Sequence, residues 1–287
     1  MSIPAAFGYT RAGSIDEALE ALAANDDAKA IAGGQSLLPL MKLRLAQPGT
    51  LVDIGRLAEL RGVSTLDDGR VSVGALTTYA ELADSKAWHY GVISDAVPSI
   101  ADVQVRNRGT IGGAVAHGDP NSDMAAVLLA LDAELVLQSK GGTRNVSING
   151  FLEGPFQTGI RHDELLTQVI LPAPLPNAGS AYVALEQPAS GYAMVGVAAV
   201  VVKGADGTVV WASVALTGVS DVAYRASAVE QALVGTSGDA ASVAAAAAHA
   251  TDGRQVNSDI HAGSQYRAAM AAVYTRRAIE AALARLG

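Results

Sequence analysis

Two short glycine pairs constrain the fold of this chain more than any other feature. Gly33 and Gly34 follow an apolar stretch and precede polar residues, and a second pair lies in the stretch Thr110-Ile111-Gly112-Gly113-Ala114. Glycine adopts positive φ and lets the main chain approach a ligand closely. Successive backbone N–H groups in such a turn can bind an anion without any cationic side chain. The pattern of strand, glycine pair and helix therefore favours either two purely structural turns or a site for a pyrophosphate.

The sequence lacks the two commonest nucleotide-binding motifs. It has no G-x-G-x-x-G dinucleotide fingerprint, and no G-x-x-x-x-G-K-[ST] loop with its lysine and hydroxyl. A cofactor whose diphosphate is held mainly by main-chain amides remains, and FAD meets that description.

Composition excludes several classes of function. The 287 residues include no cysteine, which excludes disulfides, catalytic thiols and cysteine-ligated iron–sulfur clusters on this chain. A net charge of −8 argues against a nucleic-acid partner. Neither a signal peptide nor an apolar run long enough to span a bilayer is visible, so we expect a cytoplasmic protein. The 50% apolar content reflects either a compositional bias or a surface that a partner covers.

Local signals predict an α+β fold in two domains. Ser14 with Glu17, and Thr78 with Glu81, have the spacing of helix capping boxes. The proline-rich residues 172–176 predict a boundary between a first domain, 1–176, and a second domain, 177–287. In the second domain we predict three strands, at residues 180–186, 193–202 and 209–217, followed by helices at 223–234, 240–250 and 264–286.

Longer stretches around the glycine pairs resemble a known family. AGGQSLLPLMKLRLA (residues 32–46) and TIGGAVAHGDPNSDM (residues 110–124) resemble the two FAD-binding segments in the medium subunits of molybdenum hydroxylases, the xanthine dehydrogenase family. QPASGYAMVGVAAV (residues 187–200) fits the same family. The resemblance covers essentially the whole chain, and it is strongest to the branch of aerobic carbon monoxide dehydrogenases.

The resemblance implies a fold, cofactors and partners. The fold is an FAD-binding domain of the vanillyl-alcohol-oxidase type in two subdomains, about 1–57 and 58–176, followed by a C-terminal domain of a three-stranded antiparallel sheet with a helical bundle. FAD is carried by this chain. A large partner subunit carries molybdopterin, and a small partner subunit carries two [2Fe–2S] clusters. The complete complex is a dimer of heterotrimers. Electrons pass from the clusters through FAD to a quinone-type acceptor, and the complex lies in the cytoplasm at the inner face of the membrane.

The resemblance also implies which residues contact FAD, and none of them acts as a catalytic group or metal ligand. Asp119 and Asp123 have the spacing of a metal pair, but carboxylates are also common where a helix begins. The residues expected to contact FAD are Ala32, Gly33, Gly34, Gln35, Ser36, Leu37, Thr110, Ile111, Gly112, Gly113, Ala114, His117, Asp119, Asp123, Leu166 and Tyr192.

Three positions depart from the family pattern. Ala114 stands where the family often has asparagine, and Gln35 where close relatives often have histidine. Many members have a lysine or arginine near Glu186 and Gln187. Without a cation there, the negative charge of reduced flavin is less stabilised.

Two other functions stay open on the sequence alone. One is the medium subunit of a molybdenum hydroxylase for another substrate, such as an aldehyde, a purine, an N-heterocycle or an aromatic acyl-CoA. The other is a non-catalytic assembly or scaffold protein that keeps the fold. Whether the complex is a carbon monoxide dehydrogenase or a molybdenum hydroxylase for another substrate, we expect this subunit to be inactive on the substrate by itself.

Overall fold

The computed structural model describes residues 3–286, apart from the side chains of Lys86 and Trp88. Within this range, sheets of three, five and four strands follow one another along the chain, and a two-stranded ribbon forms a fourth, smaller sheet. No helix there combines the length and the apolar character that crossing a membrane requires.

The first sheet consists of three parallel strands in the order β1-β3-β2. Helix α1 begins after Ser14, whose hydroxyl accepts the N–H of Glu17, as the capping signal predicts. The Glu17 carboxylate accepts the N–H of Gly13 rather than that of Ser14, so the box is completed one residue early. The elements are β1 (Gly8–Arg11), α1 (Ile15–Ala23), β2 (Ala28–Ile31), α2 (Leu37–Lys42) and β3 (Thr50–Asp53).

The second sheet has five antiparallel strands in the order β4-β5-β10-β6-β7, and a separate two-stranded ribbon joins β8 to β9. Thr78 and Glu81 form the predicted capping box at the start of α3. The elements are β4 (Val63–Thr65), β5 (Val71–Gly74), α3 (Tyr79–Ala83), α4 (Gly91–Ser99), α5 (Val103–Arg106), α6 (Ile111–His117), α7 (Asp123–Ala130), β6 (Glu134–Ser139), β7 (Gly142–Ser147), β8 (Leu152–Gly154), β9 (Gln157–Thr158) and β10 (Leu165–Leu171).

The third sheet has four antiparallel strands in the order β11-β12-β13-β14. The three predicted strands are present, but the predicted three-stranded sheet is corrected by a short fourth strand. The predicted helix over 223–234 begins only at Ser227, because Tyr224 and Arg225 pair with β13. The elements are β11 (Ala178–Glu186), β12 (Ala193–Lys203), β13 (Val209–Thr217), β14 (Tyr224–Arg225), α8 (Ser227–Leu233), α9 (Ala240–Ala247) and α10 (Ser264–Leu283).

Helix α7 lies between helix α4 and the third sheet. Every residue from Met124 to Ala130 is buried, because the helix packs against α4 on one side and against β12 and β13 on the other. A helix that is apolar all round is stable only when it is covered on all sides. Asp123, at the first turn of α7, is therefore held where the two parts of the molecule meet.

Candidate functional site

The first glycine segment, residues 32–37, links β2 to α2. Gly34 has a φ of +76°, which is the left-handed conformation that favours glycine. The N–H groups of Gly33 to Leu37 donate to no acceptor among residues 3–286, and the hydroxyl of Ser36 caps nothing there. Buried amides are nearly always paired, and a run of open amides is suited to an anion. This segment therefore has the geometry of an anion cradle.

The second glycine segment, residues 110–114, is not a loop like the first, and that part of the sequence prediction is wrong. Thr110 is the N-cap of α6, and its hydroxyl accepts the N–H of Gly113 at 3.1 Å. The N–H of Ile111 donates to the carbonyl of Thr77, and that of Gly112 to the carbonyl of Ala75. The glycine pair thus forms the first turn of a helix whose amides are already bonded.

Gly112 and Gly113 differ in what surrounds them. A Cβ on Gly112 would lie 2.5 Å from the Cβ of Ala75, so only glycine lets α6 approach β5 this closely. A Cβ on Gly113 would meet only the Thr110 hydroxyl, at 2.8 Å. Gly112 is therefore a packing residue, whereas one side of Gly113 is open.

The two segments touch each other. A Cβ on Gly33 would lie 1.9 Å from the carbonyl oxygen of Arg108, two residues before Thr110. The structure thus brings together two stretches that are more than seventy residues apart in sequence. The open amides of the first segment lie beside the turn that leads into the second.

Helix α6 ends at His117, its C-cap Gly118 has a left-handed conformation, and the chain then turns towards α7. His117 lies against Phe156, with ring centroids 5.1 Å apart. Burial lowers the pKa of His117, which favours the neutral ring at neutral pH.

Asp123 forms a hydrogen bond that the sequence did not reveal. The hydroxyl of Tyr182, on β11, donates to its carboxylate. Burial raises the pKa of Asp123 to about 6, against the lowering effect of the Tyr182 bond, and the nearby charges of Glu186 and Asp119 add to the increase. Burial, with Asp123 nearby, also raises the pKa of Tyr79, which keeps that phenol protonated. The result is a partly buried carboxylate surrounded by phenols.

A cavity of about 260 Å³ lies where the two parts of the chain meet. It brings together Asp119 and Tyr192, two of the predicted site residues, and Tyr192 is 50% exposed at its edge. Arg267 also lines this cavity, and no sequence pattern predicted it, because the carbonyls that it contacts are distant in sequence. The polar residues that line it include Asp119, Asn121, Gln187, Tyr192, Asp259 and Arg267.

The remaining predicted site residues fall into two groups. Gln35, Ala114 and Leu37 are at least partly exposed, close to the segments described above. Ile111, Gly112 and Leu166 are buried by the protein itself; Leu166 lies on the central strand β10 and is 5% exposed. A role of these three in contacting FAD stays a prediction.

Comparison with known proteins gives a consistent picture. Residues 5–174 match the family described as FAD binding domain in molybdopterin dehydrogenase, and residues 180–282 match the CO dehydrogenase flavoprotein C-terminal domain. The carbon monoxide dehydrogenase medium chain of Hydrogenophaga pseudoflava is 38% identical over 286 residues, covering 99% of each chain. The glyceraldehyde dehydrogenase medium chain of Sulfolobus acidocaldarius is 41% identical over 235 residues, covering 81% of this chain and 82% of its own.

A solved structure supports the same assignment. Carbon monoxide dehydrogenase from Hydrogenophaga pseudoflava, in a form that lacks the Mo-pyranopterin moiety, superposes with a TM-score of 0.95 at 40% identity, over 99% of this chain and 100% of the other. The match runs through both glycine segments and the C-terminal sheet. The chain therefore belongs to the family of FAD-binding medium subunits of the molybdenum hydroxylases.

Proposed function

We propose that this chain holds FAD at the contact between the two glycine segments and carries electrons for a carbon monoxide dehydrogenase. The observation that supports the binding site best is the run of five open amides from Gly33 to Leu37. These amides can hold a diphosphate by hydrogen bonds alone, so the site needs no cationic side chain in this acidic protein. When bound, FAD accepts electrons one at a time from iron–sulfur clusters and releases them in pairs.

Most of the predicted residues have a proposed place along the cofactor, whereas Thr110, Ile111 and Gly112, which are bonded or packed within the protein, are assigned none. The amides of residues 33–37 hold the diphosphate, with Ala32 at the entrance. Gly113 and Ala114 line the second side, since Gly113 leaves open space there. Asp123 contacts the polar chain of the cofactor, and Tyr192 approaches the flavin ring. His117, Asp119 and Leu166 are proposed as secondary contacts.

The reaction is proposed for the whole complex. A large molybdopterin subunit oxidises CO with water to CO2, and a small subunit with two [2Fe–2S] clusters passes the electrons to this chain. A quinone-type molecule at the inner face of the membrane is the proposed acceptor. We propose a cytoplasmic dimer of heterotrimers in which this subunit alone does not oxidise CO. The support is the 38% identity to a carbon monoxide dehydrogenase medium chain over almost its full length.

A second candidate substrate is glyceraldehyde. The medium chain of a glyceraldehyde dehydrogenase is 41% identical to this chain, although over a shorter stretch. Medium subunits that serve different substrates are thus equally similar here. The choice of substrate belongs to the large subunit, because the molybdenum site lies there.

The proposal includes the division of the chain into 1–57, 58–176 and 177–287. It is supported by the sheets, since each has all its strands within one of these ranges.

The test uses the native complex purified through this chain. FAD released by denaturation is measured by its absorbance and compared with the amount of this chain, and dye reduction is followed with CO and with glyceraldehyde. About one FAD per chain together with CO-dependent reduction is the expected result. Dye reduction with glyceraldehyde but not with CO would change the proposed substrate to glyceraldehyde and leave the proposed role of FAD intact. A well-folded complex that releases no flavin would contradict the proposal and favour a scaffold protein.

A further inference from the structure

The cavity beside Tyr192 has walls from both parts of the chain, and hydrogen bonds fix them together. The carbonyl of Pro120 accepts the N–H of Gly218 at 2.9 Å and the hydroxyl of Thr217 at 2.7 Å. The side-chain amide of Asn121 donates to the carbonyl of Ala193 at 2.9 Å. The chain segment that follows α6 is thereby bonded to the start of β12 and the end of β13.

Arg267, on α10, lies behind this junction and is only 1% exposed. Its Nη1 donates to the carbonyls of Met194 at 2.7 Å and Gly218 at 2.6 Å. Its Nη2 donates to a carboxylate oxygen of Asp259 at 2.7 Å. One side chain therefore connects helix α10, strand β12, the turn after β13 and the loop before α10.

This arrangement is poorly explained by stability alone. The Nε of Arg267 is buried with no partner among residues 3–286. Burying a guanidinium carries a large desolvation cost, and apolar residues of similar volume often replace buried ion pairs without loss of stability. A buried arginine with an unpaired donor at the wall of a cavity therefore needs a role besides packing.

The charges around the cavity suggest that role. Asp119 and Asp259 line it, and Glu186 and Asp123 lie close enough to each other to interact. Among the described residues that line the cavity, the basic side chains are Arg267 and His261. A flavin ring gains negative charge on reduction, which nearby carboxylates disfavour and a cation favours.

We propose that Arg267 is a positioning residue that supports the flavin ring from behind the cavity wall. Its carbonyl bonds fix the start of β12, next to Tyr192, and its positive charge offsets the surrounding carboxylates when the flavin is reduced. This inference rests on the proposed function, because it requires the flavin ring to lie at this cavity.

The test measures two quantities in the FAD-loaded complex, the dissociation constant for FAD and the two-electron reduction potential of the flavin. Arg267→Met is expected to weaken the binding of reduced FAD about tenfold more than that of oxidised FAD, which lowers the potential by about 30 mV. Arg267→Lys keeps the charge but cannot serve three acceptors in the same geometry. It is expected to weaken FAD binding several-fold while the reduced-to-oxidised binding ratio stays within threefold of the unmodified complex.

Asp259→Asn provides a test of opposite sign that does not depend on the folding of an arginine variant. Removing this carboxylate leaves the charge of Arg267 less compensated, so the flavin potential is expected to rise. A merely structural role of the Arg267–Asp259 pair would not give shifts of opposite sign for its two members.

Arg225→Met is the matched control. Arg225 also connects the two parts of the chain, through Asp132 at 2.7 Å and Glu230 at 2.6 Å, but it does not line the cavity. It is expected to lower stability and leave the flavin potential unchanged. An unchanged potential in Arg267→Met, an equal shift in Arg225→Met, or a lowered potential in Asp259→Asn would overturn the inference. Absence of FAD from the unmodified complex would instead contradict the proposed function itself.

Discussion

In the first glycine segment, the amides of residues 33–37 find no acceptor among the described residues, whereas in the second segment the amides of Ile111, Gly112 and Gly113 are all bonded within the protein. Both segments contain a Gly-Gly pair. In the first segment glycine leaves main-chain donors open and allows a positive φ at Gly34; in the second it allows a helix to pack on Ala75. A repeated glycine pair therefore does not indicate a repeated structure.

The contact between the segments leads to the largest expected effect. In Gly33→Ala the new Cβ would lie 1.9 Å from the backbone oxygen of Arg108, so the segments must separate. We expect FAD affinity to fall at least 100-fold, equivalent to about 3 kcal/mol, while the C-terminal domain stays folded. Equilibrium binding of FAD measures the effect.

Gly141→Ala is the control for this substitution, because its Cβ would meet only the Ser139 hydroxyl at an ordinary 3.5 Å and the site is remote from both segments. Equal FAD affinities of the two variants would show that the contact between the segments does not matter for the cofactor.

The two segments also differ in the titratable side chains near them. The first segment contains no titratable side chain, but the second leads into Asp123, whose pKa burial raises from 3.8 to about 6. The folded chain therefore binds this proton more tightly than the unfolded chain. The contribution of this group to the free energy of unfolding is greatest below pH 4 and falls between pH 4 and 6. Above pH 6 it is constant again, at a level up to about 3 kcal/mol lower than below pH 4.

Asp123→Asn removes this dependence and keeps an oxygen that can accept from Tyr182. Relative to the unmodified chain, we expect the variant to be more stable by up to about 3 kcal/mol at pH 7.5, and to lose that advantage near pH 4. Denaturant unfolding of both proteins across this range measures the difference. A stability difference that does not change with pH would mean that Asp123 titrates near its ordinary value.

The sequence was sufficient for the parts of the structure that local signals determine. The capping residues Ser14 and Thr78 correctly placed the starts of α1 and α3, because the bonds involved join residues three apart. The contact of the two glycine segments required the family resemblance, since no local rule relates Gly33 to Arg108.

Other features depended on contacts that are distant in sequence. The second segment was predicted to be a loop because it repeats the Gly-Gly pattern of the first segment. Glycine also disfavours helices, by about 1 kcal/mol each. Packing on Ala75 and the Thr110 cap outweigh that preference. Tyr182 and Arg267 were missed for a similar reason: Tyr182 reaches Asp123, and Arg267 reaches Met194, across long stretches of chain.

Within the second segment, the two glycines should respond differently to alanine. Gly112→Ala forces a Cβ against Ala75, and overpacking of this kind costs about 2 kcal/mol of stability. In Gly113→Ala only the Thr110 hydroxyl must shift, and the gain in helix propensity offsets much of that cost. We expect Gly113→Ala to keep its stability within about 1 kcal/mol but to bind FAD more weakly, because it fills the open side. Thermal unfolding without FAD and titration with FAD separate the two effects. Equal behaviour of the two variants would remove the distinction between the packing and the open glycine.

The smallest expected effects come from the hydroxyls that begin the two helices. Thr110 caps α6 by accepting the N–H of Gly113, so Thr110→Ala should cost about 1 kcal/mol of stability even without FAD. Ser36 makes no capping bond at the start of α2, so Ser36→Ala should leave the stability of the FAD-free chain unchanged and reduce only FAD affinity, by a few-fold. Each variant is the control for the other, and unfolding with and without saturating FAD measures both. A loss of stability in FAD-free Ser36→Ala would mean that the first segment supports its helix as the second does. The open amides would then be part of an ordinary helix start, and the anion cradle would lose its physical basis.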